Sequence, residues 1–246
     1  MLIKKNFFFK RRLKALKTFL LSSTLRRDVL KLGIKHLYTE ALLQKKSILC
    51  IGLEDLIQEK KPCKICSFTR VDGNLSYYEL IVLSSLIQEL KPKTLLEIGT
   101  FNGLGSLHMA MNAPQDAKVH TLDLLKVASD THLESEDLKY IETPEKNKKI
   151  YSNFPQKEQI KEHYGDSLYY PFETFGKPDF IFIDGSHSYP MVKNDTEKSL
   201  KILSKGGAIL WHDYTPDCPG VFTYLNELNN HCPIIHIKET SLACFF

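Results

Sequence analysis

The chain has 246 residues, of which 43% are hydrophobic and 25% charged, and its formal net charge is +4. This composition is typical of a globular enzyme or binding protein and excludes the disordered and fibrous classes. The charge is uneven, because residues 1–35 carry eleven Lys or Arg against the single acid Asp28, so the rest of the chain is net negative. We therefore expect no nucleic-acid partner for the protein as a whole.

The basic N-terminal arm has apolar residues at helical spacing, at Leu13, Leu16, Phe19 and Leu20. A helix of this kind could lie on an anionic membrane surface through residues 4–27, pack as an accessory helix or act as a transit peptide. No hydrophobic stretch approaches the roughly 20 residues that cross a bilayer. We expect a cytoplasmic protein, with peripheral contact at the inner face of the membrane as an alternative.

The six cysteines are irregularly spaced, and no cleavable signal peptide precedes them, so reduced thiols are expected. Cys63 and Cys66 form a lone CxxC without the two further ligands of a zinc site. Structural or incidental cysteines are favoured over a metal or redox site.

The hydrophobic pattern becomes regular from about residue 75, where a helix is predicted over 76–90. Apolar runs alternating with helical segments predict four strands, at 94–99, 118–124, 178–185 and 207–214. A fifth strand is predicted within 159–167, and the tail predicts a helix over 221–231 followed by two strands within 233–246. Strands that alternate with helices indicate a doubly wound parallel sheet of the α/β class.

Residues 125–158 interrupt this rhythm with a long polar segment that follows the second strand. Segments of this length in a compact domain tend to be lids or binding elements. A disordered surface insertion is the alternative.

Acidic residues fall at or near the ends of five predicted strands, at Glu97, Asp123, Asp166, Asp184 and Asp213. In an open parallel sheet the carboxyl ends of the strands share one edge, and ligands bind in the crevice outside it. Because clustered carboxylates repel one another and need partners, this edge is predicted to be a functional site.

The turn after the first strand of this sheet contains Gly99 and Gly103, which let the chain fold sharply and let a ligand approach the backbone. Glu97, two residues earlier, suits a ligand with a positive charge better than one with phosphates. Asp123 is placed to accept hydrogen bonds from a ribose diol, although a helix cap is an equal alternative for this residue alone.

Five motifs carry a resemblance in their order along the chain: "LLEIGTFNGLGS", "HTLDL", "YGDS", "DFIFIDGSHSYPMVKNDTEKSLKILSKGGAILWHDY" and "TSLA". They resemble the class I S-adenosylmethionine-dependent methyltransferases, and more narrowly the bacterial sugar and small-molecule O-methyltransferases. The likeness covers residues 73–246 and leaves 1–72 as a basic helical arm and linker. It implies a Rossmann-like seven-stranded sheet whose last strand is antiparallel.

The resemblance also implies which residues bind S-adenosylmethionine. Glu97, Gly99 and Gly103 would line the methionine end, Asp123 would hold the ribose, and Asp166 with Ser167 would flank the adenine. The full predicted cofactor-binding set is Glu97, Gly99, Thr100, Gly103, Ser106, Asp123, Asp166, Ser167 and Asp184.

The acceptor side is predicted from "IDGSHSY" and "WHDY", which supply Asp184, His187, His212 and Asp213. A hydroxyl acceptor must lose a proton, and His187 is the candidate general base, with a capping role as the alternative. Metal-dependent relatives imply a magnesium ion held by Asp184 and Asp213. His212 departs from that pattern, because an acidic ligand is expected there and Mg²⁺ prefers oxygen.

Two other functions compete with methyl transfer to a sugar hydroxyl or another small molecule. Tyr189 and Lys193 spell the YxxxK pair of short-chain dehydrogenases, but Pro190 puts Tyr189 at a helix start rather than inside a helix. A scaffold or regulatory protein that binds the cofactor without catalysis is the second alternative. The sequence leaves the acceptor and the oligomeric state open.

Overall fold

The computed structural model describes residues 23–44, 46–59, 61–125, 135–141 and 148–246. The chain divides into two compact units, residues 1–46 and 47–246. The described part of the first unit is a helix, α1, over Ser23–Leu43. Most of the predicted membrane-surface segment, residues 4–22, lies outside the described residues. Among the described helices, none is both long and apolar enough to span a membrane.

The second unit is built on one mixed sheet, with eight strands among the described residues. They are β1 Leu49–Ile51, β2 Thr94–Ile98, β3 Lys118–Asp123, β4 Ile160–Tyr164, β5 Phe180–Ile183, β6 Ala208–Trp211, β7 Ile235–Ile237 and β8 Ala243–Phe245. Their order across the sheet is β1-β7-β8-β6-β5-β2-β3-β4. Only β8 runs against its neighbours, β6 and β7, and all other pairs are parallel.

The Rossmann-like α/β fold with an antiparallel last strand is therefore confirmed, but the expected count of seven strands is wrong. The additional strand β1 lies within the segment predicted to be linker and pairs in parallel with β7. The compact unit thus begins at residue 47, earlier than the predicted boundary between residues 72 and 73. Three residues are too few to show a strand period in the sequence.

The described residues of this unit also form five α-helices: α2 Tyr77–Leu90, α3 Leu104–Asn112, α4 Ser135–Ile141, α5 Tyr189–Ile202 and α6 Pro219–Leu228. Helix α2 begins with a capping box, in which the Ser76 hydroxyl accepts from the Glu79 amide and the Glu79 carboxylate accepts from the Ser76 amide. The central strands are the most deeply buried, since every residue of β5 and β6 is buried. This rigid centre positions the loops that leave its carboxyl edge.

Candidate functional site

The register of the central strands brings the predicted acidic residues to one edge of the sheet. Ile98 of β2 aligns with Leu122 of β3 and with Ile183 of β5, which in turn aligns with Trp211 of β6. All four strands run in parallel and end at this level. The next residues along the chain therefore lie at the same edge: Asp123 ends β3, and Asp184 and the His212–Asp213 pair follow β5 and β6.

The glycine turn after β2 is held against the end of β5 by direct backbone contact. Gly99 has φ +90°, and a Cβ built on it would lie 2.0 Å from the carbonyl oxygen of Asp184. Gly103 has φ +80°, and its Cβ would lie 2.3 Å from the ring of Tyr151. Both positions therefore require glycine, because L side chains disfavour this backbone region and the space is filled.

Glu97 is almost fully buried, with 1% of its surface exposed, and faces helix α3. Its Oε2 accepts hydrogen bonds from the hydroxyls of Ser106 and Thr121, the latter at 2.8 Å. Thr100 contacts Thr121 through its own hydroxyl. Burial raises the pKa of Glu97 to about 8, so the carboxyl is neutral at pH 7. The predicted positively charged ligand, bound nearby, would lower the pKa of Glu97 again and favour its ionised form.

Asp123 and Lys149 form a buried ion pair at the end of β3, with 3.3 Å between Nζ and Oδ2 and side-chain exposures of 8% and 10%. The same Nζ donates to the carbonyl oxygen of Phe101 in the glycine turn. Asp123 Oδ1 also accepts from the amide of Leu124 at 3.1 Å. The polar segment 125–158 thus contributes a lysine directly beside the predicted ribose ligand.

Asp166 and Ser167 follow β4, next to the end of β3, and Gly165 donates to the carbonyl of Asp123 at 3.0 Å. Asp166 Oδ1 accepts from the amide of Leu168 at 2.9 Å and so caps a local turn. The carbonyl of Ser167 accepts from Lys198. The Gly165 bond thus ties the start of this turn to the end of β3, and the predicted contact of Asp166 and Ser167 with adenine stays a prediction.

His187, predicted for the acceptor side, lies between two carboxylates. Its Nε2 is 2.8 Å from Oδ2 of Asp213, and its Nδ1 is 2.7 Å from Oδ1 of Asp137, the latter an ion-pair contact without hydrogen-bond alignment. Burial alone would lower the pKa of His187, but these two carboxylates outweigh burial and raise it to about 10. At neutral pH the ring is therefore a cation and has no free lone pair, in contrast to the ready base that the sequence suggested.

His212 is surrounded by three acidic side chains and is only 11% exposed. Its Nδ1 lies 2.9 Å from Oδ1 of Asp184 and 3.1 Å from Oδ2 of Asp213, and its Nε2 lies 3.5 Å from Oε1 of Glu79. Burial opposes protonation, yet the charges of Asp184 and Asp213 hold the pKa of His212 well above its usual value. Conversely, although burial opposes it, the imidazoles hold the pKa of Asp213 well below its usual range.

Three contributors to the site were missed by sequence analysis. Asp137 comes from α4 and Lys149 from the same polar segment, and neither is marked by a motif. Glu79 belongs to the capping box of α2, and its Oε1 also accepts from the amide and hydroxyl of Ser241, at 3.0 and 2.7 Å. The capping box was visible in the sequence, but its contact with His212 depends on tertiary packing.

The expected magnesium site fits these residues poorly. Two groups of side chains bring possible ligand atoms within 4.8 Å of one another. The first is Asp184, His212 and Asp213, and the second is His187, Asp213 and Cys218. Asp213 Oδ2 already contacts both imidazoles, and Asp184 Oδ1 already contacts His212. Mg²⁺ requires a near-octahedral set of oxygen ligands, which this arrangement does not offer.

The dehydrogenase pair does not converge at this edge. The Tyr189 hydroxyl donates to Glu227 at 2.6 Å, and the amine of Lys193 lies 3.9 Å from Glu197. Both side chains thus have partners on α5 and α6, away from the glycine turn. Of the CxxC pair, Cys66 is buried, and its amide donates to the ring of His108 at 3.3 Å, which indicates a packing role.

Comparisons with known proteins show what the central segment is similar to. Residues 96–214 match the family model described as a methyltransferase domain. An uncharacterized protein of Acanthamoeba polyphaga mimivirus is 32% identical over 123 residues, 49% of this chain and 51% of that protein. A protein of Arabidopsis thaliana provisionally named a caffeoyl-CoA O-methyltransferase is 31% identical over 166 residues, 63% of this chain and 66% of that protein. The chain thus spans about half to two thirds of these relatives.

Among solved structures, the SAH-bound methyltransferase PaMTH1 of Podospora anserina has a similar fold, with a TM-score of 0.51 and 17% identity. The likeness covers 70% of this chain and 79% of that one. At this identity the likeness concerns the fold alone. The structural likeness supports the Rossmann-like fold, and residues 96–214 are similar to a methyltransferase domain.

Proposed function

We propose that this protein transfers the methyl group of S-adenosylmethionine to a hydroxyl oxygen of a small molecule, with a sugar hydroxyl as the leading candidate. The observation that carries the proposal is the single sheet edge on which the glycine turn, Asp123 and the Asp184–His187–Asp213 group meet, inside a methyltransferase domain. A donor side and an acceptor side adjoin there, as an in-line displacement requires.

On the donor side, the tightly packed turn at Gly99 and Gly103 follows β2, and Asp123 at the end of the neighbouring β3 offers a carboxylate to the ribose diol. Glu97 bonds to Ser106 and to Thr121, and Thr121 bonds to Thr100, so these side chains form a buried hydrogen-bonded group that supports a positioning role. The bound donor supplies an already activated methyl group as a sulfonium, so the chain mainly has to orient and deprotonate the acceptor.

On the acceptor side, His187 remains the proposed general base, supported by its place between Asp137 and Asp213. It must first lose a ring proton, and its pKa of about 10 sets the pH at which this happens. We therefore expect turnover to rise with pH through the neutral range, because the neutral fraction of the ring increases about tenfold per pH unit below its pKa.

The first experiment separates cofactor binding from turnover. We would measure S-adenosylmethionine binding by calorimetry, and release of S-adenosylhomocysteine with a panel of sugars and nucleotide sugars, for the wild type and His187→Gln. We expect lost turnover with near-normal cofactor affinity, whereas the exposed His231→Gln should change neither. Unchanged turnover in His187→Gln would remove the proposed base, and cofactor binding without turnover on any acceptor would favour the scaffold alternative.

A pH–rate profile tests the role of His187 more sharply. Asp137→Asn removes one of the two carboxylates that keep the ring charged, so the rising limb of the profile should move to lower pH. The matched control is Asp72→Asn, which breaks an exposed pair with Lys139, a residue of the same helix α4 as Asp137. An identical profile in wild type and Asp137→Asn would show that His187 does not set the pH dependence.

A further inference from the structure

The end of β6 places an imidazole where the resemblance to metal-dependent methyltransferases implies an acidic ligand. Nδ1 of His212 lies between the carboxylates of Asp184 and Asp213, at 2.9 and 3.1 Å. The first contact is a hydrogen bond between the ring and Asp184, and the second is an ion-pair contact with Asp213. The ring thus occupies the space between the two side chains that were expected to hold a cation.

The oxygens that face this space already have partners. Asp213 Oδ2 lies 2.8 Å from His187 Nε2 as well as 3.1 Å from His212 Nδ1. The first of these contacts is a hydrogen bond and the second is an ion-pair contact, so two imidazole nitrogens already lie against this oxygen. A divalent cation would have to displace both nitrogens.

The opposite side of the ring is also held. His212 Nε2 is 3.5 Å from Glu79 Oε1, an oxygen that the amide and hydroxyl of Ser241 fix at 3.0 and 2.7 Å. Glu79 is in turn fixed by the Ser76 amide at the start of α2. Contacts from the end of β5, from helix α2 and from the segment around Ser241 therefore keep the imidazole in place.

We propose that the His212 imidazole replaces a divalent cation at this sheet edge, bridging Asp184 and Asp213 so that the site works without a metal ion. In the proposed methyl transfer, on which this role rests, no metal ion would then orient the acceptor oxygen. The binding test needs neither cofactor nor acceptor, so its result is independent of whether methyl transfer is observed.

The test uses Mn²⁺ with the full-length protein, followed through the electron paramagnetic resonance signal of the free ion. Mn²⁺ accepts carboxylate oxygens and tolerates imidazole, so it is a fair probe of both the natural site and an acidic one. The wild type should remove no more Mn²⁺ from solution than Asp213→Asn does. His212→Glu should bind one Mn²⁺ per chain, at least about tenfold more tightly than the wild type.

The matched control is His212→Gln, which removes the imidazole without adding a carboxylate and should gain little affinity. Combining His212→Glu with Asp213→Asn should abolish the gained binding. Circular dichroism checks folding, and His212→Asp serves as a second acidic variant if His212→Glu does not fold. The proposal would be overturned if the wild type bound Mn²⁺ and Asp213→Asn abolished that binding. It would also be overturned if neither His212→Glu nor His212→Asp gained affinity for Mn²⁺.

Discussion

Replacing Gly99 by alanine tests how tightly the glycine turn is held against the end of β5. The new Cβ would lie 2.0 Å from the carbonyl oxygen of Asp184, whereas such carbon–oxygen contacts normally exceed about 3.3 Å. Relieving this overlap should cost about 1–3 kcal/mol, as overpacking of a core does. The positive φ of +90° adds about 1–2 kcal/mol. We therefore expect a loss of about 2–5 kcal/mol in the free energy of unfolding.

Gly206→Ala is the matched control, because Gly206 has φ +78° but no atom within 4 Å of its Cβ position. It should lose only the backbone share, about 1–2 kcal/mol. The assay is urea unfolding followed by the fluorescence of Trp211, the single tryptophan, which is 1% exposed. In a thermal melt of a chain of this size, each kcal/mol lost would lower the Tm by about 2–4 °C. Equal losses in the two variants would refute the close approach of Gly99 to Asp184.

Three further outcomes are expected. Burial raises the pKa of Glu97 to about 8 in the folded chain, against 4.5 ordinarily, so its contribution to stability is full below pH 4.5 and is lost as the pH rises towards 8. Glu97→Gln should therefore make the melting temperature depend less on pH, and parallel curves for the wild type and the variant would contradict this expectation. Asp123→Asn should weaken S-adenosylmethionine binding about tenfold or more in calorimetry, because a charge-assisted hydrogen bond is worth about 1.5–3 kcal/mol. The control Asp116→Asn, at an exposed residue, should leave the affinity unchanged. Equal affinities of the Asp123→Asn variant and the wild type would remove Asp123 from the ribose site. A chain starting at residue 47 should keep the melting temperature of the sheet. One starting at residue 73 should melt at a lower temperature, because it lacks β1 and exposes the edge of β7. Equal melting temperatures of the two chains would show that β1 adds no stability.

Much of the fold and of the sheet edge could be predicted, because both depend on local patterns. The strands of the central sheet are short apolar runs, and their parallel order follows from the intervening helices. Once the strand ends are known, Asp123 and Asp184 must share an edge, since the carboxyl ends of parallel strands do. Strand β1 was missed because three residues carry no period.

The chemical state of the site could not be predicted, because it depends on residues that are distant in sequence. His187 was expected to be a base, but its charge is set by Asp137, which comes from a polar segment with no recognisable pattern. Likewise, Lys149 reaches Asp123 from the same segment. The protonation of Glu97 follows from complete burial, which a strand-end position alone does not reveal.

The contrast between the two sides of the site has an evolutionary consequence. The glycine turn is fixed by backbone atoms that any replacement of Gly99 would disturb, so this half tolerates little change. The other half borrows Asp137 from a segment outside the sheet, where insertions and exchanges leave the strands intact. Under the proposed function, we expect descendants of this fold to acquire new methyl acceptors through changes around Asp137, while Lys149 of the same segment stays paired with Asp123.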